Sequence, residues 1–380
     1  MNRYISFLAI FVLFQSVSSA QENQSVSIVV KSPATPLVRL PETLSIPWKD
    51  ILKKYPGIKP DDFKVLSSDN LELPFQLEYK GLSAIQNLLI SVHVAGGKTL
   101  TFKIIEGKPA VTTSKVFGRY VPERKDDFAW ENDKIAFRMY GKALESTNEN
   151  AYGIDVWAKR TDKMILDKWY KSGDYHADHG DGLDYYSVGF TLGAGDIAPY
   201  INNNIVFPKN YRKSRILDNG PIRFSFELEY EEWNVDGKPV KVVKQFSLDA
   251  GSQLNRVAAT FTYNGKNTKL PVVVGIVKRK EKGTISSFDK NDGVLGYWEP
   301  EHAADGILGI GTIMMNANSK AFETDSHLLQ ETDASSGKAV VYYSGAAWNK
   351  AGDIKNAEEW FQYLHSFKQT LDSPLSVKIN

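Results

Sequence analysis

The sequence predicts an all-β protein with two parts, a small N-terminal β-sandwich and a larger antiparallel β domain that ends in a helix. Residues 223–230 alternate apolar and polar side chains with the period of two that a half-buried strand requires. Glycine-containing dipeptides at 236–237 and 264–265 are typical of hairpin turns. Only residues 354–369 carry apolar side chains at convincing helical spacing. The pattern therefore indicates a long antiparallel meander.

Short strands separated by Pro-, Gly- and Asp-containing turns predict an Ig-like β-sandwich over residues 21–110. The predicted strands of this part are 25–30, 63–67, 75–79, 88–94 and 99–106. A helical segment of one or two turns is expected at 48–55, between Pro47 and Pro56. The break between the two parts is placed near 107–109.

The larger predicted domain covers residues 111–380. About 360 mature residues exceed the ~250–300 at which a single core stops growing, which favours two domains. Its predicted strands are 134–140, 154–158, 188–192, 222–230, 241–248, 255–263, 272–277 and 339–344. Asp353 is the expected cap of the final helix, and Trp360 is expected to pack in the core rather than bind a ligand.

The N-terminus predicts export. A basic start, an apolar run at 4–14 and small residues ending at Ala20 form the pattern of a secretory signal peptide over residues 1–20. We therefore expect cleavage near Ala20 and a periplasmic or secreted protein. No later stretch approaches the ~18 apolar residues of a membrane helix, so membrane insertion is not expected.

Composition excludes several classes of function. The chain has 0 Cys, so disulfides, thiolate metal sites and cysteine nucleophiles are impossible, and export without cysteine favours a bacterial periplasm. With 46 basic and 45 acidic residues, the net charge of +1 offers no field for nucleic acid. The 8 Trp, 18 Tyr and 19 Phe fit either β-sheet cores or surfaces that stack on sugars. The sequence does not specify an oligomeric state.

The densest group of chemically active side chains lies at residues 174–186, which hold two of the chain's 6 histidines. Histidine and aspartate transfer protons near neutral pH, and the interleaved glycines allow the backbone to turn sharply. The alternative is a solvated polar loop. The candidate catalytic residues of this segment are His176, Asp178, His179, Asp181 and Tyr185.

The same segment offers ligands for a divalent cation. His176, His179 and Asp181 would suit zinc or manganese, whereas Asp178, Asp181 and Asp184 would suit calcium through oxygen donors. No EF-hand loop and no His-Glu-x-x-His motif is present. A bound metal is therefore one hypothesis for the loop.

Other candidate residues combine charge with aromatic rings or lie on the predicted strands. The alternatives are a surface ion pair for Arg124, solvent-facing positions for Arg138 and Arg223, and a structural role for His302. The candidate substrate-binding residues are Arg124, Trp130, Arg138, Arg223, Trp298, Glu299 and His302.

Three stretches carry a resemblance to known proteins: residues 117–141, the cluster at 174–186, and Asn219-Gly220-Pro221-Ile222-Arg223. Over residues 117–379 the chain resembles exported Bacteroidetes proteins of unassigned function that are associated with polysaccharide-utilisation loci. The larger domain is also similar to galactose-mutarotase-like supersandwich domains. Such domains occur in sugar epimerases, polysaccharide lyases and accessory parts of glycosidases, so the resemblance implies a β-supersandwich and a carbohydrate ligand.

These observations lead to two functional hypotheses. The first is a periplasmic enzyme that isomerises or cleaves acidic, uronate-containing, pectin-like oligosaccharides, the latter by β-elimination or hydrolysis. Elimination would use His176 or His179 as base, Arg124 to neutralise the carboxylate and Tyr185 as acid. Hydrolysis would draw its two carboxylates from Asp178, Asp181, Glu299 and Glu301. The second hypothesis is a non-catalytic glycan-binding protein with a structural cation site.

Overall fold

The computed structural model describes residues 25–35, 38–265, 268–289, 292–315 and 319–380. The expected signal peptide at 1–20 lies outside these described residues. No helix in the described ranges is long and apolar enough to cross a membrane.

The N-terminal elements confirm short strands with one helix between them. They are β1 (Ser25–Lys31), β2 (Glu42–Pro47), α1 (Trp48–Lys54), β3 (Phe63–Ser67), β4 (Glu72–Leu73), β5 (Phe75–Glu78), β6 (Asn87–Val92) and β7 (Thr99–Glu106).

The following elements are mostly antiparallel strands. They are β8 (Val116–Val121), β9 (Asp127–Asn132), β10 (Ala136–Met139), β11 (Asp155–Lys159), α2 (Leu166–Ser172), β12 (Gly182–Leu183), β13 (Ala194–Ile201), β14 (Asn204–Ile205), β15 (Lys213–Asn219), β16 (Arg223–Glu229), β17 (Trp233–Val235) and β18 (Lys238–Asp249).

The last part contains the longest helix and a final short strand. These elements are β19 (Leu254–Tyr263), β20 (Lys269–Val277), β21 (Ile285–Asp289), β22 (Val294–Trp298), β23 (Leu308–Met314), β24 (Lys320–Glu323), β25 (His327–Ser335), β26 (Ala339–Trp348), α3 (Ala357–Asp372) and β27 (Ser376–Ile379).

The first sandwich consists of a five-stranded sheet, β27-β1-β7-β3-β4, and a three-stranded sheet, β2-β6-β5. Alternation explains its core, because Val26, Ile28 and Val30 of β1 are all buried while their neighbours are not. The chain returns to this sandwich at its end, where Ile379 of β27 lies opposite Ile28. Both ends of the described chain therefore belong to one sheet.

The remaining strands form three sheets. Their orders are β12-β11-β10-β9-β8, then β14-β13-β20-β25-β24, then β15-β16-β18-β19-β26-β23-β22-β21 with β17 beside β18. A large apolar core joins the three sheets, and Trp130 packs in it against Phe226 and Phe246 with ring centroids 4.8 and 5.3 Å away. The prediction for residues 223–230 is confirmed for the apolar face, because Phe224, Phe226 and Leu228 are fully buried, but it is wrong for the polar face, where Ser225 and Glu227 are buried as well. The protein is an all-β sandwich.

Helix α3 packs on the outer face of the large sheet, as its spacing predicts. Trp360 is buried, and its indole N–H donates to the carbonyl of Ile310 at 3.0 Å. The expected cap is wrong, however, because the Asn356 side chain accepts from the N–H of Glu359 at 2.9 Å. Asp353 instead forms an ion pair with Lys134.

The strand expected at 188–192 is also wrong. Positive φ angles at Gly189 and Gly193 turn the chain there, and β13 begins only at Ala194. Strand β9 was not predicted from the sequence, and all six of its residues are buried. A strand buried on both faces lacks the polar alternation that identifies a half-exposed strand.

Candidate active site

One face of the sheet β12-β11-β10-β9-β8 carries a buried charged cluster. The opposite face joins the apolar core through residues such as Phe128 and Val156. Since side chains alternate along a strand, Asp127 of β9 and Arg138 of β10 emerge on the other face, and Asp155 of β11 lies directly opposite Arg138. Helix α2 covers this face and shields the charges from water.

Arg138 is the centre of this group, which we call the Arg138 cluster: Arg138, Asp127, Asp155 and Asp184. Its guanidinium lies 2.6 Å from Asp155, 3.0 Å from Asp184 and 3.7 Å from Asp127. All four side chains are almost inaccessible. One cation thus faces three carboxylates, so the cluster cannot be neutral while all three are ionised.

The excess of acid raises carboxyl pKa values. Burial raises the pKa of Asp127 to about 6, partly offset by the charge of Arg138. Burial and the charge of Asp155 raise the pKa of Asp184 well above its usual range. Two buried atoms, Asp127 Oδ1 and Arg138 Nη1, have no hydrogen-bond partner among the described residues. The cluster is therefore poised to bind protons and is incompletely satisfied.

A second charged group, formed by Arg279 and Glu299, lies beside Tyr186. Arg279 contacts Glu299 at 2.5 Å and donates to the carbonyl of Ser187 at 2.7 Å, while its guanidinium stacks over the ring of Tyr186 at 4.4 Å. Burial raises the pKa of Glu299 to about 6, and the charge of Arg279 lowers it in part. This pair supplies a second buried carboxyl group that titrates close to neutrality.

Residues 184–186 connect the two groups. Asp184 belongs to the Arg138 cluster. The ring of Tyr185 stacks on that of His302, with centroids 5.1 Å apart, and Tyr186 lies beside Arg279. Burial raises the pKa of Tyr186, on which the charges of both Arg279 and Asp155 also act. Among the described residues neither tyrosine hydroxyl has a hydrogen-bond partner. Two phenols that stay protonated therefore lie between two titrating acids.

The two surface histidines at this site are His176 and His302. The His176 side chain is 67% exposed and its Nδ1 lies 3.8 Å from the carboxylate of Asp184. The His302 side chain is 61% exposed and its Nδ1 lies 3.0 Å from Asp305. When the imidazole of His302 donates from Nδ1 to Asp305, its Nε2 is left as a proton acceptor. The structure thus brings both predicted histidines to the edge of the site.

The other predicted catalytic residues of the loop take part in surface ion pairs. His179 contacts Asp174 at 2.9 Å, Asp178 pairs with Arg160, and Asp181 pairs with Lys168. Asp178 also accepts the backbone N–H of Gly180 at 2.8 Å. These contacts are those of a structured polar loop rather than of groups converging on a substrate.

The predicted substrate-binding residues separate into several regions. Arg124 lies near the Arg138 cluster, where its Nε donates to the hydroxyl of Tyr175 at 3.1 Å. Its ion pair is with Glu149 at 2.8 Å. Trp130 is in the main core and Trp298 packs under α3, so neither ring is available to a sugar. Arg223 lies elsewhere, in a cleft beside the first sandwich.

The proposed metal ligands do not converge. His176, His179 and Asp181 each engage a different partner, at Asp184, Asp174 and Lys168. Within the described ranges a different trio, Asp289, Asp292 and His365, has potential ligand atoms within 4.8 Å of one another. Two carboxylates and one imidazole that could together hold a cation therefore exist, but they lie outside the loop at 174–186 that the sequence indicated.

Sequence reasoning did not select Asp127, Asp155, Tyr186 and Arg279 for the site. Asp155 and Asp127 are acids in strands whose residues are all buried, and an acid inside a buried strand needs a partner. That conflict between residue type and strand was the available indication. Arg279 lies two residues after the end of β20, and nothing in the sequence pattern indicated it.

Its packed antiparallel sheets make this chain an all-β sandwich protein. The chain belongs to a family described as a domain of unknown function, DUF4861, whose model matches residues 33–377. A relative from Formosa agariphila, "Uncharacterized protein P7", is 31% identical over 398 aligned positions and covers 98% of both chains.

Two solved structures from Enterococcus faecalis share the fold. An alpha-mannosidase matches 94% of this chain and 46% of its own with a TM-score of 0.51 and 8% identity. A protein in the glycosyl hydrolase family 38 matches 94% of this chain and 47% of its own with a TM-score of 0.52 and 9% identity. The chain spans about half the length of these structures, and at such identity the likeness concerns the fold alone.

Proposed function

We propose that this protein is a carbohydrate-active enzyme that acts on uronate-containing oligosaccharides, with its active centre at residues 184–186 and the groups beside them. The observation that carries the proposal is the placement of two unpartnered phenols between two buried carboxyl groups whose pKa values are raised. The fold shared with two glycoside-hydrolase structures supports a sugar as the substrate.

The arrangement suits β-elimination better than hydrolysis. Elimination needs a base to remove the proton beside the carboxylate, a cation to neutralise that carboxylate and an acid for the departing oxygen. His302 is exposed and oriented by Asp305, so it is suited to be the base. Its stacking partner Tyr185 is suited to be the acid, because its ring lies against that of His302 and a phenol carries a proton at neutral pH.

Arg279 would bind the carboxylate of the substrate. Among the described residues, Arg279 contacts Glu299 through Nε and Ser187 through Nη1. Its Nη2 is therefore left for the carboxylate of the substrate. Hydrolysis would instead require two positioned carboxylates. Two of its candidates, Asp178 and Asp181, are already engaged with Arg160 and Lys168.

The test is an assay of the purified mature chain on oligogalacturonates, following both the ultraviolet absorbance of unsaturated uronates and the release of reducing ends. We expect Tyr185→Phe and His302→Gln to abolish the new absorbance. His179→Ala is the matched control, because His179 lies in the same loop as Tyr185 and its ion pair among the described residues is with Asp174 on the surface. Equal activity in all four proteins would refute the assignment, and reducing ends without absorbance would indicate a hydrolase.

We further propose that the protein works in the periplasm or outside the cell after removal of residues 1–20. The support is the N-terminal sequence pattern. The measurement is the N-terminal residue of the mature protein purified from its host, which we expect close to Gln21. A protein that retains Met1 would contradict this localisation.

A further inference from the structure

A cleft of about 580 Å³ separates the first sandwich from the outer face of the large sheet. Strand β2 forms one wall, and the end of α3 forms another through Phe367 and Thr370. The floor is made by strands β16, β18, β19 and β26. A volume of this size is typical of ligand pockets. This cleft takes no part in the active site proposed above.

The floor carries an unbroken row of polar side chains across four strands. Ser225 lies opposite Ser247, Ser247 lies opposite Arg256, and Arg256 lies opposite Tyr343. Since directly opposed residues project on the same face of a sheet, two hydroxyls, one guanidinium and one phenol line up along the cleft. Hydroxyl and guanidinium donors beside an aromatic ring are the groups that hold a sugar unit.

Arg256 is the cation of this row, and it has no counter-ion among the described residues. Every acid in the cleft already has a basic partner: Glu42 lies 2.6 Å from Arg39, Asp249 lies 2.6 Å from Arg223, and Glu78 lies 2.9 Å from the same arginine. No carboxylate among the described residues pairs with the exposed Arg256, whose partner is the phenol of Tyr343. An anionic ligand would supply the missing charge.

The cleft is preformed, because hydrogen bonds fix the first sandwich to the large sheet. The Gln76 side chain accepts from the backbone N–H of Ile222 at 2.8 Å and of Arg223 at 2.7 Å. Asp218 accepts from Tyr79 at 2.5 Å and from Lys80 at 2.9 Å. Walls held in this way lower the entropy cost of closing around a ligand.

The aromatic wall of the cleft offers a stacking surface. Tyr343 and Phe367 form an edge-to-face pair with ring centroids 5.2 Å apart, and both are only partly buried. Apolar ring faces beside hydrogen-bond donors match the two sides of a pyranose.

We propose that this cleft is a binding site for an oligosaccharide that carries a carboxylate, with Arg256 as the anion-binding residue. The inference shares its ligand class with the proposed function, but it rests on the cleft and not on the chemistry at residues 184–186.

The experiment is isothermal titration calorimetry of the full mature chain with an oligogalacturonate and with its carboxyl-reduced counterpart. We expect Arg256→Met to weaken binding of the acidic sugar about ten- to a hundredfold, the value of a charge-assisted hydrogen bond. Lys241→Met is the matched control. Lys241 lies on the same face of β18 as Ser247, but it is outside the cleft, and its ion pair among the described residues is with Glu232 at 3.9 Å.

Three results would overturn the proposal: no binding by the wild type, equal binding of the carboxyl-reduced sugar, or equal losses in the Arg256 and Lys241 variants. Circular dichroism and unfolding midpoints of both variants would establish that they are folded. Tyr185→Phe separates the two proposals. Binding that is lost in Arg256→Met but retained in Tyr185→Phe supports the cleft, even if no protein shows elimination. Binding that is lost only in Tyr185→Phe places the sugar at the active centre and refutes the cleft.

Discussion

Two buried charged groups lie on the same face of one sheet and differ in how well they are satisfied. Lys159 pairs with Glu131 at 2.6 Å, and its ammonium also donates to the carbonyls of Asn132 at 2.6 Å and Lys163 at 2.8 Å. All three of its protons are therefore used. In the Arg138 cluster, one arginine faces three carboxylates and buried atoms remain without partners.

The difference separates a structural role from a functional one. The second oxygen of Glu131 accepts the backbone N–H groups of Ile165 and Leu166 at 2.7 and 2.9 Å, so this pair anchors the start of α2. In this pair all three ammonium protons and both carboxylate oxygens have partners. The Arg138 cluster has more acid than base, so its charge depends on pH. Proton transfer needs a group like the Arg138 cluster, whose charge can change.

The largest effect is expected from Lys159→Met. The substitution leaves the carboxylate of Glu131 buried without a cation, which costs about 3–5 kcal/mol of unfolding free energy. Urea unfolding at pH 7 measures it. Lys244→Met is the matched control, since Lys244 is equally buried and pairs with Asp196 at 2.7 Å. Losses below about 1 kcal/mol for Lys159→Met would show that the pair does not anchor α2.

A smaller, pH-dependent effect is expected from Asp127→Asn. The pKa of Asp127 is raised from 3.8 to about 6 in the folded state, so the folded protein holds this proton more tightly than the unfolded chain. Its contribution to stability is therefore favourable below pH ~4 and is lost as the pH rises to about 6, a change of about 2–3 kcal/mol. The amide cannot ionise, so the variant should lack this loss.

The measurement is the difference in unfolding free energy between Asp127→Asn and the wild type, taken at intervals from pH 4 to pH 8. We expect the difference to move in favour of the variant up to about pH 6 and then stay constant. A difference that does not vary with pH would mean that Asp127 is ionised throughout, and the contrast with the Glu131 pair would then be lost.

Tyr186→Phe tests whether an unsatisfied group is kept for function. The hydroxyl of Tyr186 is buried and has no hydrogen-bond partner among the described residues, so removing it should cost nothing or stabilise the fold by up to ~1 kcal/mol. If the site is catalytic, activity on oligogalacturonates should fall while stability holds or rises. Thermal unfolding and the absorbance assay on the same samples decide the point, and a clear loss of stability would contradict it.

Much of the fold could be predicted from local patterns. Strand β16 shows strict alternation, and α3 has apolar residues at helical spacing, so both were recognised in the sequence. Strand β27 could not be, because its pairing with β1 joins residues some 350 positions apart and only the fold brings them together. Strand β9 was not recognised either, because all of its residues are buried and it does not alternate between buried and exposed positions.

The sequence draws attention to part of the candidate site. The loop at 174–186 drew attention to His176 and Tyr185, which do lie at the candidate site. The buried acids beside them, Asp127 and Asp155, come from the two strands that flank β10, and their convergence on Arg138 depends on sheet register. The density of polar residues along the sequence therefore indicates the region of the candidate site, but it does not separate buried groups from groups in surface ion pairs.

The smallest effect is expected from Asp181→Asn, which tests that distinction directly. Asp181 was a candidate catalytic residue and metal ligand, but it pairs with Lys168, whose side chain is 65% exposed. An exposed pair of this kind contributes about 0–1 kcal/mol, and added salt should remove most of it. We expect unfolding free energy and activity on oligogalacturonates close to those of the wild type. A large loss of activity with unchanged stability would restore Asp181 to the site and shift the active centre from residues 184–186 into the loop itself.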